Sequence, residues 1–234
     1  MTQPFTFAQR SEGFDTHIDL SIRGYSNLID DVLKLSEYFV EDDTKVVDIG
    51  CSTGKMLKTM INQNSFSKRA SYIGIELEEK FAEEWPKRSD EWTSSTKENF
   101  IPNLYFYNID VRDYDFENCS FVSSIFTLMF MPPHQRMEVI KNVYNGLNSG
   151  GAFVFSEKTM ADSAKIQDIR TFTYYDYKRK SFTTDDIMDK EKTLRSMAKP
   201  NTRKELLNMC KAAGFSKIES FWQNHAFVGF LAIK

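Results

Sequence analysis

The sequence predicts an α/β fold built on a mainly parallel sheet, and three observations carry that expectation. Short apolar runs of strand length alternate with longer segments of helical periodicity. The first such run passes straight into a glycine-bearing turn, and the next two each end on an acidic residue. With 234 residues, 41% of them apolar, the chain suits a single domain, 1–234, with a full hydrophobic core.

The elements follow in order. Tyr25 to Phe39 sets Leu28, Ile29, Val32, Leu33 and Leu35 at helical spacing. Asp42-Asp43 turns the chain into a strand from Lys45 to Ile49, and the turn Gly50 to Gly54 leads into a helix from Lys55 to Ile61. A second strand, Ser71 to Ile75, ends at Glu76; the charged stretch Leu77 to Thr96 reads as helix followed by loop. A third strand, Leu104 to Ile109, ends at Asp110, and a fourth, Phe121 to Phe126, runs into a loop before Pro132-Pro133. After a helix from His134 to Gly146, Asn148-Ser149-Gly150-Gly151 makes a turn and Ala152 to Phe155 a fifth strand. Residues 160–200 break the rhythm. They are polar, aromatic and mostly helical, and read as an insertion or lid over the end of the sheet. Thr202 to Ala213 is a helix capped by Gly214, and Lys217 to Trp222 with Ala226 to Ile233 forms an antiparallel hairpin at the sheet edge. The expectation is a Rossmann-like, seven-stranded, mostly parallel sheet with helices on both faces and a helical insertion before the last strands.

Composition narrows the function classes. A formal net charge of −3 argues against a broad electrostatic grip on nucleic acid, so direct nucleic-acid binding is not expected. The 20 Phe and 10 Tyr point to dense core packing more than to an apolar ligand pocket. Cys51, Cys119 and Cys210 are scattered and His17, His134 and His225 have no partner at ligand spacing, so no metal site is expected and a reducing cytoplasm fits. Met1 to Arg10 lacks the pattern of a signal peptide. The longest apolar stretch, Phe121 to Met131, is too short to span a bilayer, so no membrane partner is expected.

The chemistry concentrates at Asp48-Ile49-Gly50-Cys51-Ser52-Thr53-Gly54. Gly50 and Gly54 let the backbone turn sharply after a buried strand and approach a ligand beyond the carboxyl end of the sheet. Glu76 after the second strand is placed to accept from two ribose hydroxyls, with Leu77 beside it, and Asp110, followed by Val111, to reach an adenine amino group. Each carboxylate alone is an ordinary loop residue; the three positions in this order point to a nucleoside.

The spacing Asp48-x-Gly50-x-x-x-Gly54, with Ser52 where a dinucleotide turn has glycine, resembles the S-adenosylmethionine (SAM)-dependent methyltransferase superfamily. Gly24-Tyr25-Ser26-Asn27, Phe126-Thr127-Leu128, Ser156-Glu157-Lys158, Asp176-Tyr177-Lys178-Arg179 and Phe227-Val228-Gly229 resemble the carboxy-SAM synthase family of tRNA wobble-uridine modification, from about Phe5 to Lys234. The resemblance implies carboxylation of the SAM methyl group with carbon dioxide from prephenate, through a sulfonium ylide. It assigns SAM or carboxy-SAM contacts to Tyr25, Asp48, Gly50, Cys51, Ser52, Gly54, Glu76, Leu77, Asp110 and Val111, with Tyr25 also at the reaction centre.

Two departures qualify the likeness. The family has an arginine for the new carboxylate where ungapped counting puts Met209, and an asparagine after strand four where this chain has Ile125. A carboxylating site needs fixed positive charge, so Arg179 and Lys178 become the expected anion clamp, with Arg203 behind them. Three readings stand: carboxylation with a prephenate-like partner, conventional methyl transfer to a small acceptor, and SAM binding without turnover. A homodimer, with an arginine supplied by a second subunit, stays open.

Overall fold

The computed structural model describes residues 13–64, 69–89 and 103–234. The strands are β1 (Lys45–Ile49), β2 (Ser71–Glu76), β3 (Asn103–Asn108), β4 (Cys119–Ile125), β5 (Leu147–Lys158), β6 (Lys217–Asn224) and β7 (Phe227–Ile233). They form one sheet in the order β3-β2-β1-β4-β5-β7-β6, parallel throughout except that β7 runs antiparallel to both neighbours. The helices are α1 (Phe14–Ser21), α2 (Tyr25–Ser36), α3 (Lys55–Gln63), α4 (Pro133–Gly146), α5 (Ala164–Lys178), α6 (Thr184–Met197) and α7 (Arg203–Ala213).

The pleat explains why both faces are covered. Side chains alternate along a strand, so Val46 points to one face of β1 and Val47 and Ile49 to the other. The Val46 face packs on α2 and α3 through Leu28, Val32, Leu57 and Met60; the opposite face packs on α4 and α7 through Val139, Ile140, Val143, Leu206 and Cys210. Each fully buried aliphatic of this kind contributes about 1.5–3 kcal/mol of transfer free energy. The strand order reverses between β1 and β4, which pair with each other, and a crevice opens there beyond their carboxyl ends.

The insertion is helical, as expected: α5 and α6 lie between β5 and α7. α6 and α7 each begin with a capping box, Thr183 with Asp186 and Thr202 with Glu205. One expectation needs correcting. Asn148 to Gly151 is a bulge within β5 instead of a turn before it, because the pairing steps from Cys119↔Leu147 to Phe121↔Ala152 and the C-terminal Lys234 bonds to Gly150 and Gly151. The stretch after Glu76 is helical, as expected: a 3-10 helix, Glu79–Glu84, runs into α-helix over residues 85–89, and residues 90–96 lie outside the described residues. The eight-residue α1 has no counterpart in the sequence reading, and it becomes a wall of the site.

Candidate active site

A cavity of about 1020 Å³ opens at the carboxyl ends of β1 and β4. Its floor is Ile49, Gly50 and Ser52 from the first turn, Glu76 and Leu77 after β2, Asp110 and Val111 after β3, and Ile125 to Thr127 after β4. Its walls are α1, α5 and α6, so the insertion and the N-terminal helix enclose what the strand ends present.

The first turn is held tightly. Ser52 adopts φ 50° and its backbone N–H donates to Glu76 Oε2 at 3.0 Å. The Trp85 indole donates to Ser52 O at 2.9 Å, and Thr53 donates to Asp15 at 2.9 Å. Arg88 bonds both Thr53 O and Asp15, so α1 is tied to the turn. Gly50 sits at φ 73°, and a Cβ there would lie 2.2 Å from Thr127 Oγ1. Its missing side chain is therefore demanded by the β4 loop as well as by any ligand. Gly54, at φ 76°, is similarly pressed by the Phe106 ring.

The two carboxylates expected to meet a nucleoside are already engaged. Glu76 accepts from the backbone N–H groups of Ser52, Leu77 and Glu78, and burial still raises its pKa against those bonds. A carboxylate offers about four acceptor sites, so room remains for a hydroxyl. Asp110 pairs through both oxygens with Arg112, whose hydrogen bonds hold its pKa low.

Other expected residues stand behind the cavity wall. Asp48 points toward the α2 face, is buried, and accepts from Ser123 Oγ at 2.8 Å; burial, with that bond opposing and Glu76 adding, moves its pKa up to about 7. Tyr25, 6.3 Å from the Phe126 ring, is desolvated beside Asp15, Asp48 and Asp19, which together push its pKa far up. Cys51 is buried and Gly54 packs on Phe106; neither lines the cavity.

The expected anion clamp is misplaced. Arg179 is exposed, ion-paired to Asp176 at 2.7 Å, and outside the cavity. Lys178 is buried behind the wall with its ammonium 5.3 Å from the Tyr174 ring centre. Helical phase explains this. On α5 the cavity face runs through Gln167, Arg170, Thr171, Tyr174 and Tyr175, a spacing of three and four. Arg170 therefore faces inward, and Lys158, Lys190 and Arg195 join it from β5 and α6. The periodicity of α5 in the sequence was the available signal. Arg203 instead donates to Ser220 Oγ, away from the cavity. Met209 is half-buried on α7, packed against the core on that face and outside the cavity, whereas Ile125 does line the cavity.

A buried clamp missed by the sequence reading fixes the loop after β4. Glu157 accepts from Leu128 N at 2.9 Å and Met129 N at 2.8 Å. Arg136 donates to the carbonyls of Met129 and Met131 and to Asn201. Burial pushes the Glu157 carboxyl up to about 8, with the backbone bonds and Arg136 opposing. Among the described residues no group of three or more His, Cys, Asp or Glu could hold a metal, and no helix is long and apolar enough to cross a membrane.

Fold and site together define an enzyme of the SAM-dependent methyltransferase superfamily, and the comparisons agree. The methyltransferase domain profile matches residues 46–151. The chain is 33% identical to the carboxy-S-adenosyl-L-methionine synthase of Staphylococcus epidermidis over 98% of this chain and 96% of that protein. It is 30% identical to the enzyme of that name from Shewanella oneidensis, over 98% and 93%. The chain belongs to the carboxy-S-adenosyl-L-methionine synthase family. Among solved structures, magnesium protoporphyrin IX methyltransferase from Synechocystis PCC 6803 shares the fold with a TM-score of 0.62 at 13% identity, covering 96% of this chain and 94% of that one. An O-methyltransferase family protein from Burkholderia thailandensis does so with 0.64 at 14%, covering 97% and 61%.

Proposed function

We propose that the protein converts SAM and prephenate to phenylpyruvate and carboxy-SAM, the latter of use in wobble-uridine modification of tRNA. The observation that carries this reading is the division of charge across one cavity. Glu76, Glu78, Glu79 and Asp110, the last paired with Arg112, give the β2 and β3 end a negative excess, while Lys158, Arg170, Lys190 and Arg195 outnumber Glu191 at the insertion end. A cationic nucleoside suits the first, and a dianion such as prephenate suits the second.

The residues fit the ligand pair. The Gly50 turn lets the backbone approach the amino-acid part of SAM, Glu76 has acceptor capacity left for a ribose hydroxyl, and Val111 and Leu77 offer apolar surface to the adenine. SAM supplies a methyl group acidified by its sulfonium. Arg170 and Arg195 hold the dianion against it, and Phe126, Met129 and Phe130 keep water from that end of the cavity. The atoms balance when the carboxyl lost by prephenate joins the methyl carbon, and the ring hydroxyl leaves with the methyl proton as water. The helices of residues 160–200 act in this reading as the lid.

One observation favours conventional methyl transfer instead. Ile125, in the cavity wall, removes a polar contact expected of carboxy-SAM recognition, and Met209, outside the cavity, offers no replacement. Mass spectrometry after incubation with SAM and prephenate separates the readings. Carboxy-SAM with stoichiometric phenylpyruvate supports carboxylation; neither product from SAM-saturated protein leaves methyl transfer.

A further inference from the structure

Buried polar atoms are almost always paired, so one left unpaired in a cavity wall marks where a ligand group goes. Among the described residues, two such side-chain acceptors line this cavity: Gln135 Oε1 and Glu191 Oε1. They do not weigh equally. An amide can exchange its oxygen for its nitrogen by rotating half a turn, so the unmatched acceptor of Gln135 can become a donor. Both oxygens of a carboxylate are acceptors, and no rotation removes the demand at Glu191.

The surroundings of Glu191 define the missing donor. The residue is 7% exposed, on the cavity face of α6. Its other oxygen, Oε2, lies 3.7 Å from the Lys158 ammonium, which also sits 5.4 Å from the centre of the Tyr174 ring. Lys158 thus compensates the buried charge electrostatically and leaves Oε1 to accept. A cationic donor at Oε1 would meet the field of Lys158 at close range. A hydroxyl meets no such opposition, and a carboxylate on the same molecule would be drawn to Lys158.

We infer that Glu191 is the hydroxyl-recognising residue of the second-substrate pocket, its Oε1 accepting from the hydroxyl of a hydroxylated carboxylic acid whose charge Lys158 engages. This rests on the reading above that the insertion end of the cavity receives the second substrate. It makes Glu191 a specificity determinant, because a ligand lacking the hydroxyl leaves a buried carboxylate oxygen unpaired.

The test compares two carboxylates that differ by one para-hydroxyl, 4-hydroxyphenylpyruvate and phenylpyruvate, titrated calorimetrically into SAM-saturated protein. Neither ligand requires turnover. The wild type is expected to bind the hydroxylated acid at least about fivefold more tightly, the scale of one hydrogen bond to a charged group. In Glu191→Met the preference falls below about twofold. Removing the charge also strengthens Lys158 toward both acids, and the ratio cancels that effect. Glu191→Gln, which keeps the shape and a neutral acceptor, gives an intermediate ratio and carries the test should Glu191→Met fail to fold. No preference in the wild type overturns the inference, as does a preference that survives in Glu191→Met or is lost only in Gln135→Leu. Absence of carboxy-SAM from prephenate would sink the reaction reading and leave this ratio intact.

Discussion

The Ser52 backbone N–H donates to Glu76 Oε2 at 3.0 Å, so the carboxylate assigned to the ligand also holds the turn that faces it. Glu76 bonds Leu77 and Glu78 through its other oxygen. Glu76→Ala therefore strands three backbone donors and removes the proposed ribose acceptor. SAM affinity is expected to fall by about 1–3 kcal/mol, roughly 5- to 150-fold, with a lower unfolding temperature. Calorimetric titration beside a thermal melt checks both. A folded variant with unchanged affinity would remove Glu76 from the site.

The role of Gly50 is steric before it concerns any ligand. A Cβ would meet Thr127 Oγ1 at 2.2 Å, and φ 73° is a region L side chains avoid. Gly50→Val is expected to abolish SAM binding and to destabilise the fold by at least about 1–2 kcal/mol, the cost of forcing such a residue left-handed. Adding Thr127→Ala should recover part of the stability, since it removes the clash and leaves the backbone strain. Denaturant midpoints of the two variants measure this; equal midpoints would show that Thr127 is not the obstacle.

How much was legible depended on whether the determining contacts were local. The β1 turn was readable because an apolar run, two glycines and two downstream carboxylates are sequence features. α1 was not readable. Five of its eight residues are polar, with only Phe14, Ile18 and Leu20 apolar, and a helix that short has little intrinsic stability. What holds it is tertiary: Asp15 to Arg88 and Thr53, and His17 to Lys190. The glycine pair at Gly150-Gly151 reads as a turn until the C-terminal strand pairs beside it. Lys178 and Arg179 stand out in the sequence as adjacent cations, whereas the phase of α5 decides which cation faces inward. Ile125, by contrast, is the last residue of β4 and lines the cavity, beside the position expected for it just after that strand.

Glu157 makes stability depend on pH with a definite sign. Burial raises its pKa from the ordinary 4.5 to about 8, so the folded state holds a proton that the unfolded state releases between those values. Wherever the folded state binds more protons, stability falls as pH rises. The stability Glu157 contributes is thus fully present below about pH 4.5 and lost as pH approaches about 8. Glu157→Gln cannot ionise. Across that window the difference between variant and wild type should move toward the variant by roughly 1–3 kcal/mol. Urea unfolding at a series of pH values tests it, and a flat difference would mean that Glu157 does not titrate there.

Arg170 and Arg179 lie on one helix, and only Arg170 lines the cavity. Arg179 spends its charge on Asp176 in solvent, where such a pair is worth little. Should the cavity hold a dianion at its insertion end, Arg170→Ala ought to lower carboxy-SAM formation at least tenfold, about 1.4 kcal/mol or more of transition-state stabilisation. Arg179→Ala should turn over within about twofold of wild type, because its pair stands outside the reaction volume. Arg170→Lys separates charge from shape. A lysine restores the field without the planar fork, so partial recovery would mark electrostatic attraction and no recovery would mark bidentate binding. SAM affinity serves as the control, since Arg170 faces the end opposite Glu76 and Asp110. Normal turnover by Arg170→Ala, or a tenfold loss in Arg179→Ala, would reverse the assignment of the clamp.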